Sequence, residues 1–297
     1  MAFSHTTETV FQRPQLGVET SWGTDAAATI ALYATRATLS RKVTMNRFRA
    51  TGYTFPVASA GGREWSEIAL ETIPGYSSNG DATHVGGDLD YFISSINGDT
   101  AVAAPVSYTV ETGGQQVTGA IVKGWEISGN NDSCVVNTSM IGKKAETATA
   151  TGALSPTVNT AFPPSAVTLT VAGGPISNWI SYRISVDNIW GVCHFLGDND
   201  VANILQPGDT VGDFEYTVEA DSDGLTPLGY VDAGAKTIVW KLETGTTPTK
   251  YTLQLTFDVN YEEPTEFHDE GGVYAITHKA AIVWKTTNVI TVVKSKS

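Results

Sequence analysis

Charge is scarce in this 297-residue chain: Asp, Glu, Lys and Arg together make up 16% of it, against roughly 25% in an average globular protein. Bases are scarcer than acids, 18 against 31, which leaves a formal charge of −13. Holding nucleic acid tightly needs clustered Lys and Arg to neutralise phosphates, so a nucleic-acid grip is not expected. Long apolar runs are missing, and none approaches the ~18 residues of a membrane-spanning helix. The opening Met1-Ala-Phe-Ser-His-Thr-Thr-Glu has neither the basic start nor the apolar stretch of a secretory leader. Neither membrane insertion nor a leader is therefore expected. Cysteine is nearly absent. Cys134 and Cys193 have no metal-ligand spacing and read as two free, buried thiols in a reducing compartment, with a disulfide as the alternative.

Thr, Ser and Gly take the place of the missing charge, with 40 Thr and 29 Gly. Apolar residues still make up 41%, enough for a packed core and against general disorder. β-branched Thr suits a pleated, half-buried surface, so the composition predicts a mainly β protein.

The chain is read as follows. Residues 1–24 are polar and without period, and are expected to form an N-terminal arm rather than a core element. In 25–43, Asp25 before three alanines resembles a helix start, but the alternation around Ile30, Leu32 and Leu39 favours a strand. Further strands are expected at Glu64–Ile73, Val106–Val110, Ile121–Ser128, Cys134–Ile141, Val167–Val171, Trp179–Val186, Val192–Leu196, Asp213–Ala220, Lys236–Thr244, Lys250–Asn260, Ala280–Lys285 and Val289–Val293. One helix is expected at Asp88–Ile96, where Leu89, Phe92, Ile93 and Ile96 share one face and Asn97-Gly98 supply the stop. Its apolar stripe must lie against a sheet. Residues 145–166 are rich in Thr, Ala and Pro and read as a linker or long loop.

A faint repeat links two Trp-led hairpins, Trp125-Glu126-Ile127 with Cys134–Thr138, and Trp240-Lys241-Leu242 with Tyr251–Leu255. With the linker, it points to two β domains in tandem. Their expected spans are 25–172, which carries the 145–166 loop near its end, and 173–297.

Catalytic and metal chemistry has few candidates. Glu219-Ala-Asp221-Ser-Asp223-Gly224 starts like a calcium loop but lacks the distal bidentate Glu, so it reads as an acidic turn closing a strand. His268, Asp269, Glu270 and His278 are of metal-ligating type without zinc spacing. No G-x-S-x-G, P-loop or G-x-G-x-x-G occurs. No enzyme, metal or cofactor is expected. The seven tryptophans could line a sugar groove, but their place in strand patterns favours core or subunit contacts.

Several segments in order resemble those of the tail tube protein (major tail protein) family of long-tailed, non-contractile bacteriophages. They are Leu16-Gly17-Val18-Glu19-Thr20-Ser21-Trp22-Gly23-Thr24; Trp125-Glu126-Ile127-Ser128-Gly129 through Ser139-Met140-Ile141-Gly142-Lys143; Ser181-Tyr182-Arg183-Ile184-Ser185-Val186-Asp187-Asn188; and Ile204-Leu205-Gln206-Pro207-Gly208-Asp209-Thr210-Val211-Gly212. The length is similar to members with two tube domains per subunit. The resemblance implies tandem β-sandwich or β-barrel tube domains with a short flanking helix and long loops. It implies a virion protein assembled in the host cytoplasm as stacked rings of three subunits, or of six in single-domain members, with no sheath. The implied partners are further copies of the chain, a tape-measure protein during assembly, tail terminator and tip proteins, and genomic DNA passing without tight binding.

The scarcity of charge fits such large obligate interfaces. Residues 1–24, 75–88 and 145–166 are expected to be mobile in a free subunit and ordered on assembly. An acidic bore would repel a duplex weakly from all sides and let it slide, over the 8–10 Å that screening allows. Candidate lining acids are Glu126, Asp213, Glu215, Glu219 and Glu243. The alternative is a β-sandwich module that binds carbohydrate as an adhesin of a virion or cell surface.

Overall fold

The structure is a computed structural model that describes residues 13–48, 51, 54–56, 58–77, 89–93, 105–147, 154–155, 160–187, 189–195, 200–201, 203–205, 210–246, 250–262, 267–283 and 290–296. It is mainly β. The first strands are β1 (Gln15–Val18), β2 (Ile30–Ala31), β3 (Ala34–Phe48), β4 (Ala58–Thr72), β5 (Gly75–Tyr76), β6 (Tyr108–Thr112), β7 (Gln115–Asn130), β8 (Cys134–Gly142), β9 (Glu146–Thr147) and β10 (Thr160–Ala161). They are followed by β11 (Val167–Val171), β12 (Gly174–Ile176), β13 (Trp179–Asp187), β14 (Gly191–Cys193), β15 (Asn203–Leu205) and β16 (Val211–Glu219). The last are β17 (Lys236–Thr244), β18 (Tyr251–Tyr261), β19 (His268–Glu270), β20 (Val273–Val283) and β21 (Ile290–Lys296). Two short α-helices are described, α1 (Leu89–Ile93) and α2 (Ser222–Leu225), with 3-10 turns at Pro164–Ala166 and Thr226–Tyr230.

The alternation seen in the sequence becomes two-faced strands. In β8 the pattern buries Cys134, Val136, Thr138 and Met140 and leaves Asn137 exposed. In β17, Ile238, Trp240 and Leu242 are fully buried. Each such side chain contributes about 1.5–3 kcal/mol through burial. The buried residues form one cluster running from Leu16 to Ile290. Of the expected helix, Leu89–Ile93 is described; Leu89 and Phe92 are buried, and the Tyr108 hydroxyl donates to the Tyr91 carbonyl at 3.0 Å. Asp88, Ile96 and the stop at Asn97-Gly98 lie outside the described residues.

The pairing order occurs twice. In the first half the neighbours run β1-β6-β7-β8-β4-β3. In the second they run β11-β17-β18-β20-β16-β13, again all antiparallel. β9 lies on the start of β7 as β21 lies on β18. α1 follows β4 as α2 follows β16. By pairing, the first repeat begins at β1 and the second at β11, upstream of residue 173.

Two expectations change. Residues 15–18 are a core element, not a loose arm: Gln15 and Leu16 are buried and the strand pairs with β2 and β6. A four-residue strand is too short to show a period, so its polar surroundings hid it. The Trp-led hairpins are also not equivalent. Trp125 stands on β7 and Trp240 on β17, and their positions in the two pairing orders differ by one strand. The repeat lies in long-range pairing rather than in those two turns.

The expected linker is partly structured. β10 pairs with β5. Phe162 is buried, and Tyr76 lies between its ring at 5.1 Å and that of Tyr251 at 4.4 Å. Residues 148–153 and 156–159 lie outside the described residues. Cys134 and Cys193 are free thiols; Cys134 is buried as expected, whereas Cys193, at the end of the short strand β14, is partly exposed.

Candidate channel-lining face

The two repeats are joined by a strand pair. β7 and β13 run antiparallel from Asn130 opposite Ser181 to Trp125 opposite Val186. This seam makes one continuous sheet in the order β3-β4-β8-β7-β13-β16-β20, and the end of β18 adds to β20 through Asp258–Tyr261. At Gly124, beside the seam, a Cβ would come within 2.8 Å of the Val186 carbonyl oxygen, so glycine permits the close approach of the two strands.

The faces of this sheet differ. One face presents Ile68, Leu70, Val136, Met140, Trp125, Ile127, Ile184, Phe214 and Tyr216 to the core, all buried. In the second repeat the covering layer meets it directly: Tyr182 lies 6.0 Å from Trp240 and Phe214 lies 5.5 Å from Phe257, ring to ring. The other face is polar. One row across it reads Arg36, Glu71, Asn137, Glu126, Ser185, Asp213, Ala281 and Asn260. The next contains Ser128, Arg183, Glu215 and Lys279.

Ion pairs knit the face. Arg183 Nε donates to Glu126 at 2.6 Å, across the seam. That hydrogen bond raises the Arg183 pKa above its ordinary value. Lys279 approaches Glu215 at 4.0 Å and Lys42 approaches Glu67 at 3.3 Å. All these groups are solvent-accessible, so each pair contributes at most about 1 kcal/mol. A cleft of about 450 Å³ opens between Arg36, Glu71, Asn137, Glu126, Ser185 and Asp187.

Of the five candidate acids, Glu126, Asp213, Glu215 and Glu219 fall on the strands of this sheet, and the registers bring the first three onto adjoining rows. Glu219 lies near the end of β16, opposite Ala275. Glu243 does not join them. It stands on β17 in the covering layer, where Lys250 at 2.8 Å and Lys241 at 3.0 Å flank it. The Lys250 hydrogen bond holds its carboxyl below the usual range. Sequence reasoning missed Glu67, Glu71 and Asp187, which belong to the polar face. Their alternation with buried Ile68, Leu70 and Val186 was the available signal.

The residues of the other candidate clusters make local contacts. Asp221 caps α2, accepting from the backbone N–H groups of Asp223 at 3.0 Å and Gly224 at 2.8 Å. These bonds, led by that of Gly224, hold its pKa below the ordinary value. His278 is buried, and its Nε2 donates to the Gly224 carbonyl at 2.7 Å, whereas His268 lies 3.6 Å from Glu270. Trp125, Trp190 and Trp240 are in the core. Trp22 donates to the Gly119 carbonyl at 3.2 Å and lies under the Lys143 ammonium at 4.8 Å. Trp284 lies outside the described residues.

Compared with protein-family models and with curated protein sequences, the chain matches none.

Proposed function

We propose that the chain is a structural subunit that assembles with further copies of itself into rings, that the rings stack into a tube, and that the polar face of the long sheet lines a passage for DNA. The observation that carries this reading is the seam. Two units of the same pairing order are joined head to tail, by unlike strands. A head-to-tail contact of this kind generates a closed ring when its rotation closes. The chain thus already contains one step of such a series.

The chemistry of the face supports the passage. Its acids Glu67, Glu71, Glu126, Asp187, Asp213, Glu215 and Glu219 outnumber its bases Arg36, Lys42, Arg183 and Lys279. A polyanion meeting such a wall is repelled weakly, over about one screening length, and keeps a hydrated gap. Binding by counterion release needs the opposite sign. In this reading the partners are a tape-measure protein during assembly, terminator and tip proteins at the ends, and genomic DNA in transit, and the tube belongs to a virion tail. The carbohydrate-binding alternative needs exposed tryptophans: Trp125, Trp190 and Trp240 are buried, and Trp22, Trp65 and Trp179 are partly exposed.

Negative-stain microscopy of the concentrated full chain tests the proposal. Polymers of uniform width with a stain-filled axial channel are expected. Isolated single chains at every concentration would overturn it.

A further inference from the structure

The doubled pairing order matches strands of the two repeats, and aligning their buried positions sets a correspondence between residues. Val136, Thr138 and Met140 of β8 correspond to Ile276, His278 and Ala280 of β20, buried positions in both. The registers then carry Ile68 and Leu70 of β4 onto Phe214 and Tyr216 of β16. Through the next pairings, Leu39 of β3 corresponds to Ile184 of β13. β18 and, after it, β19 both pair with β20, as the single strand β7 pairs with β8, so β19 takes the place of the end of β7. In its register Glu270 corresponds to Asn130, and continuing that register one residue before His268 sets Phe267 in the place of Ile127.

At the internal seam Ile127 faces Ile184, and both are fully buried. Their equivalents are apolar but uncovered. Phe267 is 44% exposed and stacks on Tyr274, itself 62% exposed, at 5.2 Å. Leu39 is only partly buried, although Ile184 at the matching site is at 0%. Among the described residues β3 pairs with β4 alone and β19 with β20 alone. An open strand edge with an apolar core-side residue is a template for another strand.

We infer that the β19 edge of one copy pairs antiparallel with the β3 edge of the next, in the register of the internal seam, with Phe267 opposite Leu39 and Glu270 opposite Arg36. This rests on the ring reading and names its contact. The occupant is a second copy because the edge that fits β3 is present on the same molecule. The pairing continues the sheet that β7 and β13 already join, so each copy adds its two repeats to one unbroken wall. It also sets the exposed Glu270 carboxylate against the exposed Arg36 guanidinium, a favourable cross-strand pair.

Engineered cross-links test the register. Full-length chains with Cys193→Ser carry Arg36→Cys with Glu270→Cys, or Thr38→Cys with His268→Cys. A control carries Arg36→Cys with Lys279→Cys, which the register keeps apart. Directly opposed strand residues have Cα atoms about 4.5–5.5 Å apart, within disulfide reach. Mild oxidation of assembled material is expected to give a denaturant-resistant ladder of linked chains from at least one in-register variant, and monomers from the control. Tubes without a ladder in either in-register variant, or with an equal ladder in the control, overturn this pairing and leave the ring reading standing. Single chains that form neither tubes nor ladders overturn both.

Discussion

Tyr182, on β13 of the second repeat, donates a hydrogen bond at 3.0 Å to the Cys134 thiol at the start of β8 in the first. The ring is 3% exposed and lies edge-on to Trp179 at 5.6 Å. Burial raises the Tyr182 pKa far above its ordinary value and pushes the Cys134 thiol up to about 11. The pair is therefore neutral near pH 8, and a protonated thiol is a poor nucleophile.

Removing the hydroxyl with Tyr182→Phe costs about 1 kcal/mol, the net worth of one hydrogen bond. Tyr182→Ala adds a cavity at the seam and costs about 3–5 kcal/mol. Urea unfolding measures both. Maleimide labelling at pH 8 should leave Cys134 untouched in the native protein and reach it in the Ala variant. Rapid native labelling of Cys134 would contradict the burial and bonding described.

A buried carboxylate holds the segment before β2. Glu19 accepts from the N–H groups of Gly23 and Gly119, both at 2.7 Å, and from the Thr109 hydroxyl at 3.0 Å. Gly119 has φ +63° and a Cβ there would lie 3.0 Å from the Trp22 indole nitrogen, so glycine suits this position on two counts. Glu19→Ala strands two backbone donors, at about 1–3 kcal/mol each. Glu19→Gln keeps one acceptor oxygen and is expected to lose about half as much. Guanidinium melts rank the three proteins; an Ala variant as stable as the parent would refute the clamp.

The strands were legible because burial alternates along them. Cys134–Ile141 and Lys236–Thr244 needed only their own residues to be read, and both match the strands found within a residue or so. The common face of Glu126 and Asp213 needed more. It depends on β7 meeting β13, a contact between residues 51 to 61 positions apart, and no local pattern encodes that register. For the same reason Glu243 looked like the other acids: its strand alternates as theirs do, but β17 pairs with β11 and β18 in the covering layer. The topological repeat was hidden because its equivalent positions share burial rather than residue type, as Thr138 and His278 do.

The β3–β4 hairpin extends beyond its support. β8 accompanies β4 from Ser66 to Thr72 only, while β3 and β4 stay paired out to Phe48 and Ala58. Met45, Phe48 and Phe55 on this extension are 54%, 55% and 79% exposed. In the proposed tube this projection is covered by a neighbouring copy. Phe48→Ser with Phe55→Ser should shift monomer stability by no more than about 0.5 kcal/mol, as surface changes do, but lower the yield of polymer at a given concentration. Sedimentation of wild type and variant side by side decides; equal polymer yield would free the hairpin from any such role.

His278 makes stability depend on pH in a definite direction. It is 2% exposed, with Tyr216 at 5.1 Å and Tyr261 at 6.2 Å around its ring. A carbonyl can only accept, so Nε2 carries its proton toward Gly224. Burial disfavours the imidazolium and lowers the native pKa, with the Gly224 bond opposing it in part. The unfolded chain titrates near 6.5. Between that value and the lowered native one, the unfolded state binds more protons. The stabilisation from a neutral, buried His278 is therefore full above about pH 6.5 and is lost as pH falls toward the native pKa. His278→Gln keeps a donor for Gly224 but has no proton to gain. The stability advantage of wild type over this variant should be largest at pH 7.5 and shrink steadily toward pH 5 in urea titrations. A constant or widening advantage over that range would mean that His278 is not held neutral in the fold.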